Sequence, residues 1–352
     1  MTSAQANLLI LLRQALNLPQ TNQTIDSSAW PETLAEARRH AVAPLAFAAL
    51  ESIPETQLPA DETVAAWLTL RQAAVRANRR TDAAIESLAA ELKKFDVKPL
   101  IIKGQTVGRH YPDPSLRSPG DIDVYLPGVS FEKLRRDLTT ASIPFQDHSD
   151  GSISFLWKGV EVEIHVNPVD IATPSRLRRV LAELKTVPMA FGQETVSVLD
   201  PVCEIFMLGA HIFKHVIGHG IGLRQICDVA LACRNTDLSV DDRRRLLQLI
   251  NDAGLQRWFA ELSSLLHYHF GIPADRLPSP RCLAGENADG KTDLSRRKAD
   301  RLLRRVLSAG NFGFRESNTR PQTALAFLRN SSYSLRLAPR ETLAQILQLA
   351  RS

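Results

Sequence analysis

The sequence is short of several things, and each shortage excludes a class of protein. It has only four cysteines (Cys203, Cys227, Cys233 and Cys282), with no Cys-x-x-Cys pair and no zinc-ligand spacing. A disulfide framework is therefore set aside, and reduced thiols in a cytoplasmic protein are expected. Aromatics make up 6% of the chain and do not interleave with its basic clusters, so the stacking platform of a single-strand binder is missing. No apolar run approaches the roughly 20 residues of a membrane span. Asn7–Leu12 is too short for a signal segment, and Arg13 interrupts it. There is no heptad array and no repeat of fixed period. Charge is not one-sided either: 43 basic and 38 acidic residues leave +5, which suits an anionic substrate without marking a nucleic-acid binder. The short basic clusters, such as Arg243–Arg245, Arg296–Lys298 and Arg304-Arg305, read as solvated helical faces.

What is present is enough for two or three domains over 352 residues. Residues 1–95 read as helical: one helix around Leu8–Leu16, one over Trp30–Ala41, a third to about Glu51, and a long segment from Asp61 to Lys94. The last is either a single helix or two with a break near Arg79-Arg80. Between 96 and 200 the pattern becomes strand–helix–strand. Strands are expected at Val97–Ile102, Asp121–Leu126, Ser152–Trp157, Val160–Val166 and Glu194–Leu199, with Ile143–Phe145 at an edge and a two-residue turn at Lys158-Gly159. Short helices are expected at Gly104–Tyr111, Phe131–Ala141 and Pro174–Leu184. From Asp200-Pro201, an N-cap followed by proline at N1, residues 201–352 read mainly as helix, with loops at Pro273–Lys291 and Gly310–Thr319. The fold class is α+β: a small mixed sheet enclosed by helical regions, divided as 1–95, 96–200 and 201–352.

The chemistry concentrates in Arg117–Leu126. On a strand, Asp121 and Asp123 point the same way, their backbones roughly 6–7 Å apart, while Ile122, Val124 and Leu126 face a core. Two adjacent carboxylates repel unless a cation lies between them, and hard divalent ions prefer oxygen ligands. An Asp-x-Asp alone is weak evidence, but its surroundings strengthen it. Pro99–Gly104 is an apolar strand ending in Lys-Gly. Val160–Val166 alternates strictly and puts Glu161, Glu163 and His165 on one face. A third carboxylate on a neighbouring strand is what two-metal phosphoryl or nucleotidyl transfer requires. By alternation alone, Glu163 and Glu161 are rivals for it.

The run Leu100-Ile101-Ile102-Lys103-Gly104, then Tyr111-Pro112-Asp113-Pro114, then Arg117-x-x-Gly120-Asp121-Ile122-Asp123-Val124, then Val162-Glu163-Ile164-His165 resembles a large bacterial group of uncharacterised nucleotidyltransferases in the DNA polymerase β-like superfamily. Leu208–His215, Leu223–Asp228 and Gly310-Asn311-Phe312-Gly313 extend the resemblance from about residue 35 to 330. It implies transfer of a nucleoside monophosphate from an NTP, ATP among the candidates, to an acceptor hydroxyl on tRNA, a protein or a small molecule. It also implies Mg²⁺ or Mn²⁺ held by Asp121, Asp123 and Glu163, and a nucleotide site drawing on Lys103, Gly104, Gln105, Arg117, His211 and Lys214. A regulatory partner protein is compatible with it.

The chain departs from the superfamily in two places. Lys103-Gly104-Gln105 stands where Gly-Ser or Gly-Gly is usual, which removes a hydroxyl contact that backbone N–H groups would replace. Glu163 stands where Asp is usual. These departures keep a second reading open, a catalytically silent nucleotide-binding or nucleic-acid- or partner-binding module. For Lys103 and Arg117 the alternative is an ion pair with Asp121 or Asp123; for His165 it is a packed residue beside the ligands. His211, His215 and His219 share one helix side and line the cleft, no nearby acid completing a zinc set. Arg224 and Asp228, four apart, read as an intrahelical pair or as cleft residues.

Overall fold

The structure is a computed structural model and describes residues 1–19, 24–148, 150–218, 220–284, 293–311 and 320–350. Its N-terminal helices form for local reasons. Thr2 and Gln5 cap α1 (Ser3–Ala15) reciprocally. Pro31 and Pro44 sit in the first turns of α2 (Trp30–Arg39) and α3 (Ala43–Ala48), where a missing N–H does no harm. The long segment is one uninterrupted helix, α4 (Asp61–Lys93), with no break near Arg79. No glycine or proline interrupts it, and its buried positions find partners along its length. One of them, Asn78, donates from Nδ2 to the carbonyls of Ser115 and Arg117, both at 2.9 Å. The helix thereby fixes the loop that leads into the Asp-x-Asp strand.

The middle of the chain gives β1 (Leu100–Ile101), the single turn α5 (Gln105–Gly108), β2 (Ile122–Tyr125), α6 (Phe131–Thr140), β3 (Phe145–Asp147), β4 (Ile153–Trp157), β5 (Val160–Ile164), α7 (Pro174–Ala182), β6 (Thr186–Phe191) and β7 (Glu194–Leu199). The strands make one mixed sheet in the order β3-β4-β5-β2-β1-β7-β6. Lys158 and Gly159 both take positive φ (49° and 76°), the backbone a tight β4–β5 hairpin requires. Two strands differ from expectation. β1 is shorter than Val97–Ile102, since Pro99 has no N–H to donate and joins only through its carbonyl, which accepts from Ser197 N at 3.0 Å. β6 is a strand where none is expected. Its Pro188 lies on the sheet's edge, the place a β-ladder tolerates proline.

Strand alternation gives the sheet two unlike faces. Ile101, Ile122, Val124, Val162, Ile164, Val196 and Val198 form a dry layer against Ala84, Ile85 and Leu88 of α4. On the other face, Leu100, Ile102 and Leu199 join the main core, together with the helices on either side in sequence. Those that follow are α8 (Pro201–Ile217), α9 (Leu223–Asn235), α10 (Val240–Ala253), α11 (Gln256–Phe270), α12 (Pro280–Ala284), α13 (Arg296–Ala309), α14 (Arg320–Leu337) and α15 (Pro339–Ala350). α12 falls in an expected loop. Asp200 caps α8 by accepting from Cys203 N at 2.9 Å, with Pro201 at N1. Inside α8, Gly209 allows close approach to α11: a Cβ there would sit 2.5 Å from Phe259 Cζ. The four cysteines are buried and unbridged. Among the described residues no helix is long and apolar enough to cross a membrane.

A candidate active site at the sheet's polar face

Strand register brings the acids together. β2 and β5 run parallel with Asp123 directly beside Glu163, so their side chains rise from the same face. His165 follows β5, tied by its N–H to Val124 O at 2.8 Å. Its Nε2 lies 2.7 Å from Asp123 Oδ1 and 3.8 Å from Glu163 Oε2. Asp123, Glu163 and His165 offer ligand atoms within 4.8 Å of one another, the one candidate metal cluster among the described residues. Asp121, the residue before β2, lines the adjoining cavity with Asp123. Glu161 is exposed, opposite Leu156 toward the hairpin end, and stands apart from the cluster.

Lys103 enters from the end of β1, its ammonium 2.9 Å from Asp123 Oδ1. Both cationic partners thus meet the same oxygen, and Oδ2 carries no hydrogen bond among the described residues. Burial pushes the Asp123 carboxyl up, but Lys103 and His165 together outweigh it and hold it well below the usual range. Asp121 shifts the other way: the negative charge of Asp123, then burial, raise it above Lys103's opposing pull. Two neighbouring carboxylates pushed in opposite directions are the signature of excess negative charge. Three carboxylates face one ammonium and one imidazole. A hard divalent cation fits this oxygen-rich donor set; Asp123, Glu163 and His165 offer ligand atoms close enough to share one. Ser152 Oγ donates to Glu163 Oε1 at 2.8 Å and orients that carboxylate.

The opposite wall comes from α8. His211 Nδ1 lies 2.8 Å from Asp170 Oδ2, and its Nε2 lies 3.5 Å from Lys103 Nζ. Burial and the Lys103 charge lower the His211 pKa, so the neutral ring donates to Asp170 and accepts from Lys103. Lys214 Nζ is 2.9 Å from Asp170 Oδ1, and that carboxylate raises the lysine's pKa. A hydrogen-bonded chain results, from Asp123 through Lys103 and neutral His211 to Asp170 and Lys214. His215 packs edge-on to His211, with ring centroids 4.5 Å apart; His219 lies outside the described residues, as do Phe312 and Gly313.

Between the walls is a cavity of about 500 Å³, lined by Lys103, Gly104, Arg117, Asp121, Asp123 and His211 among others. Gly104 has φ +77°, a backbone that L side chains rarely adopt, so the Lys-Gly turn requires glycine here. The helix expected over 104–111 shrinks to one turn, too short for a helix-dipole argument. Gln105's side chain leaves the cavity and donates to Asp82 at 2.6 Å. Arg117 pairs with neither Asp121 nor Asp123. It forks onto Asp228, Nε to Oδ1 and Nη2 to Oδ2, both at 2.8 Å. Tyr111 Oη donates to the same carboxylate at 2.6 Å. Arg224, four residues before Asp228, reaches Ser118 O at 3.1 Å. The buried Nη1 of Arg117 has no hydrogen-bond partner.

Asp170 escapes sequence reasoning, since it lies in a loop with no periodic signal. Ser152 is read only as the start of a strand, and Tyr111 only as the end of a helix and the first residue of the Tyr-Pro-Asp-Pro run; neither reading gives its hydrogen bond to a carboxylate. The pairing of Arg117 with Asp228 spans 111 positions.

A family model described as an uncharacterised nucleotidyltransferase matches residues 26–271. Among solved structures the chain is similar to an antigenic nucleotidyltransferase-like protein from Paracoccidioides brasiliensis. The two are 14% identical, with a TM-score of 0.35, and the alignment covers 49% of this chain and 86% of that one. No curated protein matches.

Proposed function

The chain belongs to a family of uncharacterised nucleotidyltransferases, and on that premise we propose that it is a metal-dependent enzyme moving a nucleoside monophosphate from an NTP to an acceptor hydroxyl. The observation that carries this reading is that Asp121 and Asp123 line one cavity with Lys103 and Gly104, while Glu163 stands beside Asp123 in one acidic cluster. In this reading Asp121 and Asp123, with Glu163, hold Mg²⁺ or Mn²⁺. The metal supplies charge neutralisation on the triphosphate when bound. The acceptor oxygen forms a bond to the α-phosphorus, the bond to the β-phosphate's bridging oxygen breaks, and pyrophosphate leaves. Glu163, oriented by Ser152, takes the acceptor's proton. Lys103 and Lys214 face the phosphates as cations, and His211 as a neutral hydrogen-bonding ring. Arg117 contributes Nη1, and Gly104 and Gln105 contribute backbone rather than side chain. Segment 96–200 supplies the acids, 201–352 the opposite wall and 1–95 the support.

The test is incubation with each labelled NTP, Mg²⁺ and RNA, protein or small-molecule fractions. Label should appear in one fraction with the wild type and not with Asp121→Asn/Asp123→Asn. If no NTP gives transfer, or the double variant transfers equally, the proposal fails. One observation favours a silent nucleotide-binding module: Lys103 and His165 already satisfy Asp123 Oδ1. Calorimetry with NTP and Mn²⁺ separates the two, since heat of binding without turnover supports the silent reading.

A further inference from the structure

Beyond α8 the molecule holds a second charged cavity, of about 580 Å³, lined by Arg301, Arg305, Arg329 and Arg336 around Tyr333. These arginines come from α13 and α14. One acid answers them. The buried Glu261 of α11 is bound by Arg301 through Nε and Nη2, at 3.0–3.2 Å, and by the Tyr333 hydroxyl. Arg305 lies over the Tyr333 ring, 4.0 Å from its centroid, and its Nη1 donates to Asn330 Oδ1 at 3.2 Å. Arg305, Arg329 and Arg336 have no carboxylate within ion-pair distance among the described residues. Guanidinium groups held this close repel one another unless an anion joins them. Their planar forks match phosphate oxygens, and more than one fork meets the cavity.

The charge does not stop at the rim. The exposed side of α13 carries Arg296, Arg297 and Arg304, of which only Arg296 has an acid partner among the described residues, Asp300 at 3.2 Å. A row of this kind exceeds what a mononucleotide needs and suits a polyanion with regularly spaced phosphates. Asn330 also donates to Gly218 O at 3.0 Å, at the C-terminal end of the helix that bears His211 and Lys214. α8 thus runs from the candidate active site to this basic surface. We propose that the arginine cavity and the outer side of α13 form a binding surface for a nucleic-acid phosphate backbone. Sequence alone reads the same residues as plain solvated faces; the convergence of three unanswered guanidiniums on one cavity is what separates the two readings.

The surface stands apart from the transferase reading, because its residues are not those that hold the metal or the NTP. Fluorescence anisotropy with labelled bulk tRNA, and with a DNA duplex of similar mass, over a salt series tests it. Arg329→Ala/Arg336→Ala removes two exposed side chains, so folding, checked by melting, should be unchanged. The expected result is wild-type binding that falls steeply with salt. The variant should bind on the order of tenfold more weakly at low salt, with a log–log slope lower by about two. Arg136→Ala/Arg244→Ala, which removes equal charge elsewhere, should bind as the wild type does, and so should Asp121→Asn/Asp123→Asn. Equal binding by wild type and the 329/336 variant overturns the proposal. So does an equal loss in the 136/244 control, or pyrophosphate competing at the concentration at which tRNA binds.

Discussion

Two buried acids line the same cavity and are treated in opposite ways. Asp228 is matched: Arg117 grips both oxygens and Tyr111 adds a hydroxyl; burial drives the tyrosine's pKa well up, while for the arginine the Asp228 charge outweighs burial and raises its pKa. Asp123 is overfull with like charge: Asp121 and Glu163 stand beside it, and its positive partners crowd onto one oxygen. The first arrangement is complete and holds shape. The second is incomplete without a further cation and so is suited to bind one. A charge census of either acid alone would miss this, since both are nearly inaccessible and both are paired.

The contrast can be broken from either side. The largest effect belongs to the matched acid. Asp228→Asn leaves the Arg117 charge buried without its partner, so urea unfolding should show a loss of about 3–5 kcal/mol. The same change at the crowded acids should act in reverse. Asp121→Asn removes a repulsion, so stability should rise by about 0.5–1 kcal/mol, while label transfer falls on the order of 10²–10³-fold. A variant that loses stability there would refute the crowding argument. Next, Mn²⁺ should stabilise the wild type by about 2.7 kcal/mol at a hundred times its dissociation constant, read from melts, and leave Asp121→Asn/Asp123→Asn unmoved.

The smallest effect concerns His40, whose Nδ1 accepts from Leu223 N at 3.3 Å at the start of α9, the helix that carries Asp228. Burial lowers its pKa, more than Glu36 restores it. The unfolded chain therefore takes up the proton first. Stability is full above the unfolded value of about 6.5 and declines as pH falls below it. Urea midpoints measured from about pH 7.5 to about 5.5 should decline, and His40→Gln should flatten that decline.

The crowded acids are the part that could be read from the chain. Asp123 and Glu163 lie on short strands whose alternation fixes which way each side chain points, Asp121 immediately precedes the first of them, and the Lys103-Gly104 turn marks the end of β1. The matched acid could not be read. Arg117 is set by Asn78 on α4, Tyr111 by a loop, and Asp228 by α9; no local periodicity links the three. Asp170 is similar, visible only because His211 and Lys214 reach it. β6 was obscured by Pro188, which argues against a strand unless its edge position is known. Helix lengths were legible to within a turn where caps are strong, as at Asp200-Pro201, and least so at α5, where Gly104 opens a single turn.

Gly209 has a further consequence. It lies two residues before His211, on nearly the opposite side of α8, with Phe259 pressed against its bare α-carbon. Any side chain there acts as a shim: it levers the helix away from α11 and drives His211 and Lys214 toward the sheet. The width of the cleft between cationic and anionic walls is thus gauged by the missing methyl of one residue that touches neither.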